Sequence, residues 1–143
     1  MTDTQMLEIV RKIINGNLGG ARELCEKYCT EIYCLQVGKI ILEDFEEYEK
    51  KILNLSKEEI FNKAFEINAM TEITNFFQDT DCLTDEQYKI LLKADEIKGS
   101  LIEKLYGFFL SAKDSSVNNY EDISQWIGWF CDKEKERMKN DKN

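Results

Sequence analysis

The chain contains no proline, and only seven of its 143 residues are glycine. Proline interrupts helices because it lacks a backbone N–H and clashes with the preceding turn. A chain without it, and with few glycines, favours long helices over a turn-rich β-sandwich. The length suits one domain with a sizeable core. We therefore predict a single helical domain over residues 1–143, with a charged tail that frays from about residue 133.

Two helices are predicted in the first third of the chain. Apolar residues at helical spacing over residues 6–14 indicate a short helix, closed by Gly16 and by the glycine pair at 19–20. An apolar stripe then continues over residues 21–52. It predicts one long helix, in which Gly38 is a small contact point and the place for a bend.

Two capping boxes mark later helix starts. In the first, Ser56 can accept a hydrogen bond from the N3 amide while Glu59 reaches back to the cap. We expect this third helix to run to about Gln78. Thr84 and Gln87 repeat the arrangement, which predicts the start of a fourth helix.

The second half of the chain continues the helical pattern. Apolar spacing resumes over residues 101–109 after a junction near 95–99, which leaves open whether 85–112 is one kinked helix or two. A polar loop is predicted at 114–119, followed by an amphipathic helix that includes 123–131. No alternating strand pattern is visible. The sequence predicts an all-α compact bundle of five or six helices, including one long helix, without a sheet.

Several kinds of chemistry are excluded by residue type. The chain has no histidine, which removes Ser-His-Asp and Cys-His catalysis and the HExxH zinc site. Residues 16–20 lack the Lys-Ser/Thr pair of a phosphate loop, and residues 79–90 lack three features of a calcium loop. We predict no catalytic residue, no metal ligand and no cofactor.

The five cysteines are expected to be free thiols: Cys25, Cys29, Cys34, Cys82 and Cys131.

The charge is strongly acidic. A formal net charge of -9 and a pI near 4.7 disfavour direct binding to nucleic acid or to an anionic membrane. No apolar run approaches the roughly 18 residues of a membrane span, and no basic stretch precedes an apolar one at the N-terminus. We expect a cytoplasmic protein with a protein partner.

An uncompensated acidic segment is the first candidate interaction site. Residues 64–88 contain six acids and no Lys or Arg: Glu66, Glu72, Asp79, Asp81, Asp85 and Glu86. Four of them cluster at the turn over 79–86, where they would face a basic partner such as a nucleic-acid-binding effector. The alternative is that these charges occupy a helix start and a solvated turn.

The aromatic segment at Trp126 and Trp129 is the second candidate. Its bulky residues cover an arc of about 200° on a helical wheel, more than one core face requires. One aromatic ring, most simply Trp129, would remain outside and could anchor a partner or a homodimer. The alternative is that both tryptophans belong to the core.

The stretch over residues 45–109 resembles an uncharacterised bacterial family, domain of unknown function 3848. The resemblance is carried by Phe-Glu-Glu-Tyr at 45–48, by the helix start at 55–66, by Leu-Thr-Asp-Glu-Gln at 83–87 and by Leu91-Leu92. It implies a small accessory product of a mobile element and no catalytic residue. The chain is also similar in style to small acidic anti-defence proteins of the anti-CRISPR type, which block an effector by binding it.

Together these features predict a non-enzymatic protein that acts by protein–protein contact. The expected role is that of an inhibitor or accessory factor, encoded by a phage or mobile element, which binds a basic surface of an effector. Two alternatives remain: a self-associating structural module, and a metal-dependent enzyme that uses carboxylates.

Overall fold

The computed structural model of the chain describes residues 1–79, 83–97, 99–111 and 120–141. Over these ranges the chain forms seven α-helices and no strand, which confirms the predicted all-α bundle with one long helix. The helices are α1 (Asp3–Ile14), α2 (Leu18–Leu53), α3 (Lys57–Asn62), α4 (Ala64–Asp79), α5 (Asp85–Glu96), α6 (Leu101–Ser111) and α7 (Tyr120–Asp141).

The turn between α1 and α2 is tighter than expected. Gly16 makes it, with a φ of 77° that favours glycine. The predicted break at Gly19 and Gly20 is wrong, because both residues lie in the first turn of α2. Asn17 caps this turn by accepting a hydrogen bond from the Gly20 amide at 2.9 Å. A Cβ at Gly20 would stand 2.6 Å from the Asn17 side chain, so this glycine makes room for the cap.

Both predicted capping boxes are confirmed. Ser56 and Glu59 exchange hydrogen bonds of 3.2 and 3.1 Å at the start of α3, and Thr84 and Gln87 exchange bonds of 3.2 and 2.9 Å at the start of α5. The single helix expected up to Gln78 is wrong, since α3 ends at Asn62 and α4 begins at Ala64. No glycine or proline marks this break, and nothing in the local sequence explains it.

The open question over residues 85–112 is resolved as two helices, α5 and α6. Gly99, with a φ of 114°, lies between them. Lys104 donates to the carbonyl of Ala94 at 2.6 Å, which satisfies the C-terminal end of α5. Asp44 on α2 accepts from the amide of Ile102 at 3.3 Å, which satisfies the first turn of α6. The two helices are therefore held at their junction by side chains.

The core lies between α2, α4, α5, α6 and α7. Gly38 confirms the predicted small contact point, because a Cβ there would stand 3.1 Å from the Phe77 carbonyl oxygen. Gln78 donates to the Gly38 carbonyl at 2.7 Å and closes the same contact between α2 and α4. The side chains that are almost completely buried include Val37, Ile41, Met70, Ile73, Phe76, Leu91, Leu101, Ile102, Leu105, Ile123 and Ile127.

The predicted polar loop at 114–119 lies outside the described residues. The expected last helix is present as α7 and remains helical as far as Asp141, past the point near residue 133 where fraying was expected.

Candidate interaction surfaces

An apolar stripe on α1 faces solvent. It consists of Met6, Leu7, Val10, Ile13 and Ile14, and is called here the α1 face. Each of these side chains is exposed, Ile14 to 76%, and α1 has no buried residue. Apolar side chains in such a continuous stripe are a recurring feature of protein-binding surfaces.

The opposite side of α1 explains this orientation. Ile9 and Gln5 are half-buried against the rest of the chain, and Gln5 donates to Glu31 on α2 at 3.5 Å. The hydroxyl of Tyr28 on α2 donates to Glu8, and this hydrogen bond raises the pKa of the Tyr28 phenol. Because polar side chains hold α1 to α2, most of its apolar residues remain uncovered.

Glu66 is placed in a local network. It is half-buried on α4, accepts from the Tyr48 hydroxyl at 3.1 Å and pairs with Lys63 at 3.1 Å. Burial and the bond to Glu66 raise the pKa of Tyr48 well above its usual range. Residues 64–88 contain no cation, but Glu66 is compensated by Lys63, which lies immediately before that segment.

Two further acids contact other helices. The Thr30 hydroxyl on α2 donates to Asp85. Glu86 pairs with Lys135 on α7 at 2.5 Å, and this bond lowers the pKa of Glu86. Both acids therefore join α5 to neighbouring helices.

The remaining acids divide between described and undescribed parts of the chain. Glu72 lies half-buried on α4. Asp81 and the side chain of Asp79 lie outside the described residues. Among the six predicted acids, the contacts described above involve Glu66, Asp85 and Glu86.

The two tryptophans are separated by the fold. Trp126 is only 4% exposed, and its ring lies 5.6 Å from Phe109 and 6.4 Å from Phe108, between centroids. Its indole N–H has no hydrogen-bond acceptor within the described ranges. Trp129 is 51% exposed on α7. Trp126 is therefore a core residue here, and Trp129 is the ring that a partner could reach.

The described cysteines are unbridged: Cys25, Cys29, Cys34 and Cys131. Burial raises the pKa of the Cys131 thiol to about 12, which keeps it protonated and unreactive. Cys82 lies outside the described residues. In the part of the chain that the structure covers, no three His, Cys, Asp or Glu side chains form a group that could hold a metal ion.

Comparison with known proteins identifies no relative. No family model matches the chain, no curated protein matches it, and no solved structure matches it. The resemblance to domain of unknown function 3848 therefore stays a prediction.

Among the described helices, none combines the length and the apolar character that a membrane crossing requires.

The orientation of the α1 face was not predicted from the sequence. Its helical periodicity was evident, yet periodicity shows only that one side of a helix is apolar. A usable signal was present at Glu8 and Gln5, polar residues on the side that contacts α2.

Proposed function

We propose that this chain is a non-enzymatic protein that binds another protein through the α1 face. The observation that carries the proposal is the exposure of all five apolar side chains of that face on a helix with no buried residue. Leaving such side chains in water forgoes about 25 cal/mol for each Å² of apolar surface that burial would remove. A partner that covers the face gains this free energy.

The finer proposal concerns the partner's charge and origin. A net charge of -9 favours association with a basic surface, because opposite potentials accelerate encounter. We place the partner among nucleic-acid-binding effectors in the cytoplasm, and the chain among inhibitors or accessory factors of phages or mobile elements. Within the acidic segment, Glu72, Asp79 and Asp81 are the residues assigned to steering, since Asp85 and Glu86 contact neighbouring helices.

Self-association is the second candidate, and the α1 face also favours it. A specific interface buries roughly 1,000 Å² or more in total, and two copies that meet through this face would cover its five exposed apolar side chains on both helices. A two-fold contact uses the same patch from both copies, so it needs no second surface.

A pair of matched variants tests the proposal. Leu7→Ser with Ile14→Ser disrupts the α1 face, whereas Leu35→Ser with Leu53→Ser removes exposed leucines from α2. Capture from host cells should recover a partner with the parent and the α2 variant, and lose it with the α1 variant. Light scattering separates self-association, for which the parent should have a dimer mass and the α1 variant a monomer mass. Unchanged partners and unchanged mass in the α1 variant would overturn both candidates.

The finer proposal has its own test. Glu72→Gln, Asp79→Asn and Asp81→Asn together should slow association with the captured partner at low salt and weaken its dependence on salt. Glu23→Gln, Glu26→Gln and Glu58→Gln remove the same number of charges, from exposed positions on α2 and α3. Equal association rates for the two triple variants would contradict steering by the acidic segment.

A further inference from the structure

A groove between α5 and α7 concentrates positive charge in this acidic protein. Lys89 and Lys93 line one wall, one turn apart on α5, and Lys135 and Lys139 line the other, one turn apart on α7. The groove has a volume of about 260 Å³. It is separate from the α1 face, and the inference drawn from it does not depend on how that face is used.

One carboxylate lies among these lysines. Glu86 lines the groove and pairs with Lys135 at 2.5 Å, and Lys139 and Lys89 also help to lower its pKa. Four lysines and one glutamate leave an excess of three positive charges along the lining. Lys89 also lies over the Tyr33 ring, 5.4 Å from its centroid, whereas Lys93 and Lys139 form no ion pair within the described ranges.

Helix electrostatics account for only part of this arrangement. Lys93 and Lys139 lie in the last turns of their helices, where the helix dipole stabilises a cation. Lys89 and Lys135 do not lie there. Like charges that converge on one groove repel each other, so their convergence favours a ligand that supplies the missing negative charge.

The floor of the groove is apolar. Ile90 is buried and Met138 is half-buried, and both line the groove between the two rows of lysines. Methionine adapts its shape to different apolar side chains. The groove thus combines an aliphatic floor with cationic walls.

We propose that this groove binds an acidic segment of another protein, with carboxylates one helical turn apart on either side of an apolar side chain. The rows of lysines match that spacing, about 5.4 Å along a helix. A nucleic acid fits less well, because none of the described residues that line the groove is an aromatic side chain on which a base could stack.

Fluorescence anisotropy at low salt tests this assignment with a labelled peptide of repeating Glu-Leu-Glu-Glu units. Lys93→Gln with Lys139→Gln should weaken binding about tenfold, because two charge contacts are lost. Lys27→Gln with Lys57→Gln removes two exposed lysines elsewhere and should change the affinity less than about twofold. Met138→Glu retains all four lysines but places a carboxylate on the floor, and should also weaken binding.

Binding measurements with other ligands identify the class of ligand that the groove prefers. The same peptide with serine in place of leucine should bind several-fold more weakly, because it has no apolar anchor. Saturable binding that the groove variant weakens and the control variant retains supports the proposal. Absence of saturable binding, equal losses in the two lysine variants, or tighter binding of a single-stranded oligonucleotide or inorganic phosphate than of the peptide would overturn it.

Discussion

Helices α1 and α6 are almost equal in length, 12 and 11 residues, and both carry apolar residues at helical spacing. α6 packs against four helices and buries Leu101, Ile102 and Leu105 completely. α1 packs against α2 and buries none of its residues. The periodicity therefore identifies the apolar side of each helix equally well, but it does not show which neighbouring helices cover that side. The number of neighbouring helices separates a core element from an interaction surface.

The largest expected effect comes from removing a core side chain of α6. Leu105→Ala should lower the free energy of unfolding by about 2 to 5 kcal/mol, because it leaves a cavity among fully buried neighbours. Val10→Ala on the α1 face should cost less than about 1 kcal/mol, since that side chain is already exposed. Urea denaturation monitored by circular dichroism measures both. Comparable losses would mean that α1 is covered in the free protein.

Two helical glycines extend the comparison. Gly38 faces the Phe77 carbonyl, whereas a Cβ at Gly107 on α6 meets no atom within 4 Å. Gly38→Leu should lower the free energy of unfolding by about 1 to 3 kcal/mol through overpacking. Gly107→Leu should leave it unchanged or raise it by up to about 1 kcal/mol through helix propensity. The same denaturation experiment applies, and a stable Gly38→Leu variant would show that α2 and α4 can separate without loss.

Helix caps provide a smaller contrast. Thr84→Ala removes the cap of α5, a core helix, and should cost about 1 kcal/mol of global stability. Thr2→Ala removes the equivalent cap of α1 and should increase only local opening. Amide hydrogen exchange distinguishes these outcomes residue by residue. Faster exchange in α5 after Thr2→Ala would indicate that α1 and the core unfold together.

Substitution of Asp95, near the α5–α6 junction, should have the smallest effect on the free energy of unfolding. Burial and then Asp44 raise its pKa, so the folded state holds the proton more tightly than the unfolded state. Its contribution to stability is present below the ordinary aspartate pKa and is lost as pH rises through the raised value. Asp95→Asn should therefore stabilise the protein at neutral pH, by less than about 1 kcal/mol because the side chain is only partly buried.

A pH series of unfolding curves checks this expectation. The advantage of Asp95→Asn should disappear in acid, where the parent carboxyl is protonated. Glu23→Gln, at an exposed position on α2, is the control. A variant that is less stable than the parent at neutral pH would reverse the assigned sign.

Local features of the fold could be predicted because they depend on neighbouring residues. The capping boxes at Ser56 and Thr84 involve residues three positions apart, and they form as expected. The predicted helix end at Gly20 is wrong, because a glycine pair is typical of a helix end, whereas here Gly20 makes room for the Asn17 cap at the start of α2. The break at Lys63 has no local marker, so the sequence indicated one helix where two exist.

The candidate surfaces could be predicted only in part, for the same reason. Lys89 with Lys93 and Lys135 with Lys139 are visible in the sequence as pairs one turn apart, but their convergence across a groove requires α5 to pack against α7. Glu86 looked uncompensated because its partner, Lys135, lies on another helix.

Helix content, the starts of α3 and α5 and the single long helix followed from the sequence, because backbone hydrogen bonding and capping act over a few residues. Tertiary packing decided which apolar stripe became core, which tryptophan stayed outside and which charged side chains formed ion pairs. Burial and ion pairing depend on atoms that approach from distant parts of the chain, and local spacing carries no information about that approach.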